Sequence, residues 1–261
     1  MKKFFLFFSL LSFSISSAQQ LEIPLASEKI DSMKLEYQAK KNIIKLSLTS
    51  LAFKNIHLQY ERVLNKKISV SLSVSRIFEG GIPLLSSVES FIDDAESFDQ
   101  IRDMTLSYYS ITPEVRFYLS KKGYGKGFYL APFYRNSKIT LDGVSFDYEN
   151  DTNTTSTMKT SGSISGNTLG LLLGSQFNLG KSIVLDWWIV GPHYGSGNGE
   201  LIGKDSSGLS ADEQDELRVE ITNLELPLVD ESSEVNAQGV KVNLTGPWGG
   251  VRAGISLGFR F

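Results

Sequence analysis

The chain has 261 residues, with 26 Lys and Arg, 29 Asp and Glu, two His and no Cys. A hydrophobic fraction of 41% is enough to build an ordered fold, which excludes a wholly disordered chain; the missing cysteines exclude a disulfide scaffold, a thiolate metal site, a cysteine nucleophile and an acylated-cysteine anchor. The net charge of -3 speaks against a nucleic-acid partner, and 23 Gly against 7 Pro, with 16 Phe and 10 Tyr, leans toward β structure with many turns.

Lys2 and Lys3 precede an apolar run from Phe4 to Leu11, and Ser16-Ser17-Ala18 puts small residues where a signal peptidase reads. Residues 1–18 are therefore expected to be an export signal cleaved after Ala18, since the apolar stretch is too short and too broken by serines for a transmembrane anchor. The mature chain would keep 24 basic and 29 acidic residues, a net of -5. No later stretch reaches the roughly 18 consecutive apolar residues of a membrane-spanning helix. Residues 19–41 are polar, contain Pro24 and read as a short periplasmic leader.

From Asn42 onward the dominant period is two. Ile44, Leu46 and Leu48 alternate with Lys45, Ser47 and Thr49, and Ile56, Leu58 and Tyr60 with His57, Gln59 and Glu61. The third run sets Ile68, Val70, Leu72 and Val74 against Ser69, Ser71, Ser73 and Ser75; the fourth sets Ile111, Val115, Phe117 and Leu119 against Thr112, Glu114, Arg116 and Tyr118. The fifth sets Phe128, Leu130 and Tyr134 against Tyr129, Ala131 and Arg135, and the sixth sets Leu169, Leu171 and Leu173 against Thr168, Gly170, Leu172 and Gly174. The seventh sets Ile183, Leu185, Trp187 and Ile189 against Val184, Asp186 and Trp188. The last sets Val251, Ala253, Ile255, Leu257, Phe259 and Phe261 against Arg252, Gly254, Ser256, Gly258 and Arg260. Successive strand side chains point to opposite faces, so each run has one apolar face and one polar or small face.

The pattern predicts an all-β fold: an eight-stranded antiparallel up-and-down transmembrane β-barrel over 42–261, most strands near the roughly 9–11 residues that a tilted strand needs to cross a bilayer. A soluble antiparallel sandwich also alternates, but three features favour the membrane. The connections alternate between short turns near Asn65-Lys66, Lys121–Lys126 and Gly180-Lys181 and long loops at 79–103, 138–166 and 191–248. Those loops carry net charges of -6, -2 and -8, which leaves the rest of the mature chain at +11. Serines and glycines such as Ser69–Ser75, Gly254 and Gly258 would make a poor hydrophobic core, yet they suit a lumen whose opposite face meets lipid. Phe117, Tyr118, Phe128 and Phe259 on the inner side and Phe53, Phe78, Tyr108 and Tyr109 on the outer side fit interfacial girdles.

Eight strands enclose a space just wide enough for their own side chains. The polar face brings Lys45, His57, Gln59, Glu61, Glu114, Arg116, Tyr129, Arg135, Asp186, Trp188, Arg252 and Arg260 into it. Unpaired charge there is costly. Lys45, Glu61, Glu114, Arg116, Arg135, Asp186, Arg252 and Arg260 are therefore expected to form a lumen network that plugs the barrel, with Glu61, Glu114 and Arg116 as an ion-pair cluster. Two outer loops carry capping boxes followed by helical spacing: Ser86-Ser87-Val88-Glu89 before Phe91, Ile92, Ala95 and Phe98, and Ser210-Ala211-Asp212-Glu213 before Leu217, Ile221 and Leu224, with Pro227 ending the run.

The chain end, Gly258-Phe259-Arg260-Phe261, resembles the C-terminal strand of Gram-negative outer-membrane barrels. That likeness implies that Phe259 and Phe261 form the signal read by the barrel-assembly machinery. Asn42-Ile43-Ile44-Lys45-Leu46, Tyr60-Glu61-Arg62 and Pro113-Glu114-Val115-Arg116-Phe117-Tyr118 resemble a family of small uncharacterised Gram-negative outer-membrane β-barrel proteins, over roughly residues 42–261. The resemblance implies a fold and a location in the outer membrane, and brings no catalytic residues with it.

The leading functional expectation is a structural or surface-interaction protein with a plugged lumen and acidic extracellular loops. Its partners would be outer-membrane lipid, the assembly machinery and an unknown extracellular partner of the acidic loops, with no cofactor, no metal and no nucleic acid. A lipid-modifying outer-membrane enzyme built on His57 and Glu61 is one alternative, and a soluble lipocalin-like periplasmic ligand binder is another. Gly162-Ser163-Ile164-Ser165-Gly166 has nucleophile-elbow spacing without a strand–turn–helix context, and is set aside. Asp93-Asp94 and the cluster Asp212, Glu213, Asp215 and Glu216 match no EF-hand loop, so they read as solvated acidic faces, with bridging of lipopolysaccharide phosphates through divalent ions as the sharper alternative.

Overall fold

Alternation becomes strand almost throughout. The computed structural model describes residues 40–85, 102, 104–120, 123–149, 155–205, 207–222 and 230–261, which fall within the compact unit 38–261. The expected export signal, the leader up to residue 39, and the helix expected after Ser86 lie outside the described residues.

The elements in chain order are β1 (Asn42–Ser47), α1 (Leu48–Ala52), β2 (Ile56–Val63), β3 (Ile68–Gly81), β4 (Thr105–Tyr118), β5 (Gly127–Glu149), β6 (Thr155–Leu179), β7 (Ile183–Asp205), α2 (Ala211–Thr222), β8 (Asp230–Asn236) and β9 (Gly239–Arg260). All pairings are antiparallel, in the order β1-β2-β3-β4-β5-β6-β7-β9-β8, and an additional β1–β9 pairing makes the hydrogen bonds ring round. The result is a barrel-like sheet of nine strands where eight were expected: eight complete the ring, and β8 lies outside it, paired with the start of β9. At the other end of β9 the chain end is tied back to β1. Asn42 N donates to Phe261 O at 3.0 Å, and Phe261 N to Asn42 O at 2.9 Å.

The long connections expected at 138–166 and 191–248 are mostly strand. β5, β6, β7 and β9 run for 23, 25, 23 and 22 residues, so 138–149, 155–166, 191–205 and 239–248 continue the ring strands upward. The reason these stretches read as loops is a reversal of polarity. In the lower part of the ring the outward side chains are mostly apolar (Leu58, Leu72, Val115, Leu130, Leu171, Trp187 and Leu257 are all exposed), while Ser69, Ser73, Thr112 and Ser256 are buried inside. The change comes at one level. Asn136, Asn167 and Ser196 sit opposite one another on β5, β6 and β7, and Asn167 Oδ1 accepts from Asn136 Nδ2 at 2.8 Å and from Tyr134 OH at 2.6 Å.

Above that row the outer face is polar. Lys138, Thr140, Asp142, Ser161, Ser163 and Glu200 share one groove with Ile202, and Glu200 pairs with Lys241 at 2.8 Å. The opposite face carries Trp248, Ile164, Leu244 and Leu201 against glycines. A stretch whose apolar face switches sides and is thinned by glycine gives no single alternating signature.

Glycine on β6 has a steric role. Gly166, Gly170 and Gly174 recur every four residues on the face that continues the ring interior. A Cβ at these positions would lie 2.1 Å from Trp248 Cδ1, 2.3 Å from Phe133 Cζ and 2.4 Å from Tyr129 Cζ. Aromatic side chains of β5 and β9 therefore lie across β6, and any larger residue there would displace them.

α1 and α2 are short and capped at their N-termini. β1 stops at Ser47, short of the expected Leu48-Thr49, because the Ser47 hydroxyl accepts from Ser50 N at 3.2 Å and starts α1. Thr49 Oγ1 in turn accepts from Ile255 N at 2.9 Å, fixing α1 to β9. At α2 the expected capping box is present: Ser210 N donates to Glu213 Oε2 at 2.7 Å, and Glu213 N to Ser210 Oγ at 3.2 Å. Leu224 and Pro227 lie outside the described residues. Replacing Ser210 by Ala is expected to weaken α2 by about 1 kcal/mol. Faster amide exchange in its first turn, with β7 and β9 unchanged, is the measurement that checks this.

Of the expected aromatic girdle, Phe53, Phe78, Phe117, Phe128 and Phe259 are exposed, but Tyr118 is buried. Phe117 and Tyr118 are consecutive on β4 and point to opposite faces, so they cannot share a girdle.

Candidate functional site

The inward face of the lower ring holds one connected ionic cluster. Lys45 of β1 donates from Nζ to Glu61 Oε2 at 2.5 Å, to Gln176 Oε1 at 2.5 Å and to Asp186 Oδ2 at 2.7 Å. Arg116 of β4 donates from Nε to Glu114 Oε1 at 2.5 Å, from Nη1 to Asp186 Oδ2 at 2.7 Å and from Nη2 to Gln59 Oε1 at 3.0 Å. Its guanidinium also lies 4.4 Å from the centre of the Tyr129 ring. Glu61 accepts from the Ser69 and Tyr118 hydroxyls at 2.6 and 2.8 Å, and Asp186 Oδ1 accepts from the Tyr129 hydroxyl at 2.7 Å. Arg252 of β9 closes the set, donating from Nη1 to Glu114 Oε2 at 3.2 Å.

The balance of this cluster decides what it can do. Three cations, Lys45, Arg116 and Arg252, meet three carboxylates, Glu61, Glu114 and Asp186, and all six side chains are essentially sealed from solvent. Every strand of the ring contributes: β3 through Ser69, β5 through Tyr129, β6 through Gln176 and β7 through Asp186. A half-satisfied buried network is worse than none, whereas a fully partnered one rigidifies the wall that holds it. This arrangement ties eight strands to one another and fills the space between them.

Two of the expected members are elsewhere. Arg135, higher on β5, donates to the Tyr108 hydroxyl and lies 5.9 Å from that ring's centre. Arg260, at the lower end of β9, donates to Tyr124 O at 2.9 Å from each terminal nitrogen and to Gly125 O at 3.2 Å from Nη2, so it pins the turn between β4 and β5. The inward positions run the full height of the ring, and a shared face does not imply a shared level. Conversely, Gln176 was not foreseen. It stands at an inward position of β6 just past the end of the expected run, and its Nε2 donates to Gly125 O at 2.7 Å. Tyr118 and Phe133 are further inward residues that the sequence pattern assigned to other roles or left unassigned.

The groups considered for catalysis are not assembled. The buried His57 ring packs edge-on against Trp188 at 5.0 Å, and its Nε2 has no hydrogen-bond partner among the described residues, while Glu61 is committed to Lys45, Ser69 and Tyr118. Gly162–Gly166 lies within β6 as extended strand. Among the described residues no three His, Asp or Glu side chains converge on a metal position; Asp215 pairs with Arg218 at 2.5 Å and Glu213 caps its own helix. Asp93 and Asp94 lie outside the described residues. Phe259 and Phe261, the expected assembly signal, are exposed and stack at 6.3 Å with their planes 17° apart.

No protein-family model, no curated protein and no solved structure matches this chain.

Proposed function

We propose that this protein is an eight-stranded outer-membrane β-barrel with a plugged interior, serving a structural or surface-interaction role. The observation that carries the reading is the inside-out polarity of the lower ring. Leu169 and Val251 stand 69% and 67% exposed on the outside while Lys45, Glu61 and Asp186 are sealed within. In water such a surface would be an aggregation hazard, far beyond the few hundred Å² of contiguous apolar patch that soluble monomers expose. Against acyl chains it is the stable arrangement, and the ringed hydrogen bonds leave little backbone to be satisfied by solvent.

The height of the apolar band agrees. Val251–Arg260 on β9 spans ten residues and Leu169–Leu179 on β6 eleven, close to the roughly 9–11 of a tilted membrane-crossing strand. The 25 residues of β6 would reach about 80 Å at about 3.3 Å each, well beyond a hydrocarbon layer of about 30 Å. On this reading the upper strands, α2 and the acidic β8 stand outside the cell as the surface that meets an extracellular partner. The expected export signal and the likeness of three short stretches to small outer-membrane barrels point the same way.

The test is fractionation of cells expressing the full chain, with heated and unheated samples compared on a gel. The expected result is recovery with the outer membrane and a shift in migration that boiling abolishes. Recovery in the soluble periplasm would overturn the proposal in favour of a lipocalin-like binder.

A further inference from the structure

Above the sealed cluster the interior changes character. The Arg252 guanidinium lies 4.5 Å from the centre of the Phe133 ring and 5.0 Å from that of Trp188. Its Nη1 reaches Glu114, a carboxylate already held by Arg116, and its buried Nη2 has no hydrogen-bond partner among the described residues. His57 packs on the other ring of this pair, Trp188, and His193 packs edge-on against Phe133 at 5.9 Å. Arg135 is one inward position further up β5 from Phe133, held by the Tyr108 hydroxyl. Arg252, His57 and His193 thus gather on the Phe133 and Trp188 rings, with Arg135 one inward position above Phe133 and a single carboxylate, already engaged, beside Arg252.

The wall rising from that level is apolar. Trp248 lies over Gly166 and Gly197, Ile164 and Leu244 over Gly199, and Leu201 over Gly162. From Gly170, beside Phe133 and His193, to Ile164 is six residues of strand, about 20 Å at about 3.3 Å each. A cationic floor with donor capacity to spare, beneath a long apolar wall, is complementary to a molecule carrying one anionic end and one alkyl chain. Arginine forks bind carboxylates in pairs of hydrogen bonds, and ligand sites are typically concave, mostly apolar and oriented by a few polar groups.

We infer that the upper interior binds a long-chain alkyl carboxylate, its head at Arg135 and Arg252 and its chain along Trp248, Ile164 and Leu244. The site shares Arg252 with the sealed cluster below it, through the guanidinium nitrogen that the cluster leaves unpartnered among the described residues, and goes beyond a structural role. It does not depend on which membrane holds the protein.

The experiment uses the full chain in lipid nanodiscs, with radiolabelled dodecanoate as probe and empty discs of the same lipid as reference. Saturable uptake of about one dodecanoate per chain is expected, at least tenfold weaker for Arg135→Gln and for Leu201→Asn, with dodecanol and acetate each at least tenfold weaker than dodecanoate. Arg135 is outside the ionic cluster and Leu201 is 40% exposed, so both variants should keep the heat-dependent gel shift that reports folding. Uptake no greater than that of empty discs overturns the inference and leaves the face to a protein occupant. Uptake that Arg135→Gln leaves unchanged also overturns it, as does acetate binding as tightly as dodecanoate. A chain that shows the gel shift in the membrane fraction yet takes up no dodecanoate would refute this inference alone and leave the proposed function standing.

Discussion

Leu171→Arg is expected to cost about 1–2 kcal/mol of stability in a bilayer, while Ser163→Arg, eight residues along the same face of the same strand, should change it by no more than about 0.5 kcal/mol. Leu171 is exposed within the apolar band, one outward position below Leu169 at its upper edge, so on the proposed reading a guanidinium there is drawn out of water. Ser163 lies on the same outer face above the Asn136–Asn167 row, beside Lys138, Asn198 and Glu200, where one more charge stays solvated. The comparison holds secondary structure, strand and face constant and varies only the level. Urea titration of both variants folded into lipid vesicles is the measurement. Equal effects would mean that the band does not face lipid.

The second large effect concerns the sealed cluster. Asp186→Asn keeps the size of the side chain and removes one negative charge from a set of three against three. Lys45 Nζ and Arg116 Nη1, each 2.7 Å from Asp186 Oδ2, would then face one another, with Glu61 left to share between them and Glu114 held only through Arg116 Nε. Breaking a buried pair by removing one partner typically costs about 3–5 kcal/mol, because the other charge is left without compensation. Unfolding in urea should show a loss of that size. Adding Lys45→Met to Asp186→Asn should cost less than the two single losses together, because the second change removes the charge that the first one stranded. A loss below about 1 kcal/mol for Asp186→Asn would mean that water reaches the cluster and screens it, which would sink the plugged interior.

The strand faces of the lower ring were legible from residues alone. In β3 every serine from Ser69 to Ser75 is buried and Val70, Leu72 and Val74 are exposed, and in β9 the alternation holds from Val251 to Phe261. Two-residue periodicity is a strong signal when one face is uniformly greasy. The upper halves of β5, β6, β7 and β9 were not legible, because polarity there changes sides and glycines remove the inward side chains that would have marked the period. β8, Asp-Glu-Ser-Ser-Glu-Val-Asn, carries almost no β-type residues, and its pairing with β9 supplies what its composition lacks. Within the site, alternation assigns Lys45, Glu61, Glu114, Arg116, Asp186 and Arg252 to one face, but it holds no information about height. That is why Arg135 and Arg260 separate from the rest and Gln176 joins them.

For a chain that spans a bilayer as proposed, the switch of polarity at the Asn136–Asn167–Ser196 row has a mechanical consequence. A cylinder greasy along its whole length could ride up and down in a bilayer at little cost. Here a downward slip of one outward position, about 7 Å along the strand, would drown Asn136 and Asn167 in hydrocarbon, and an equal upward slip would lift Leu169 and Tyr134 into water. On the proposed reading the protein sets its own waterline, and a host bilayer of another thickness would have to stretch or thin to meet it.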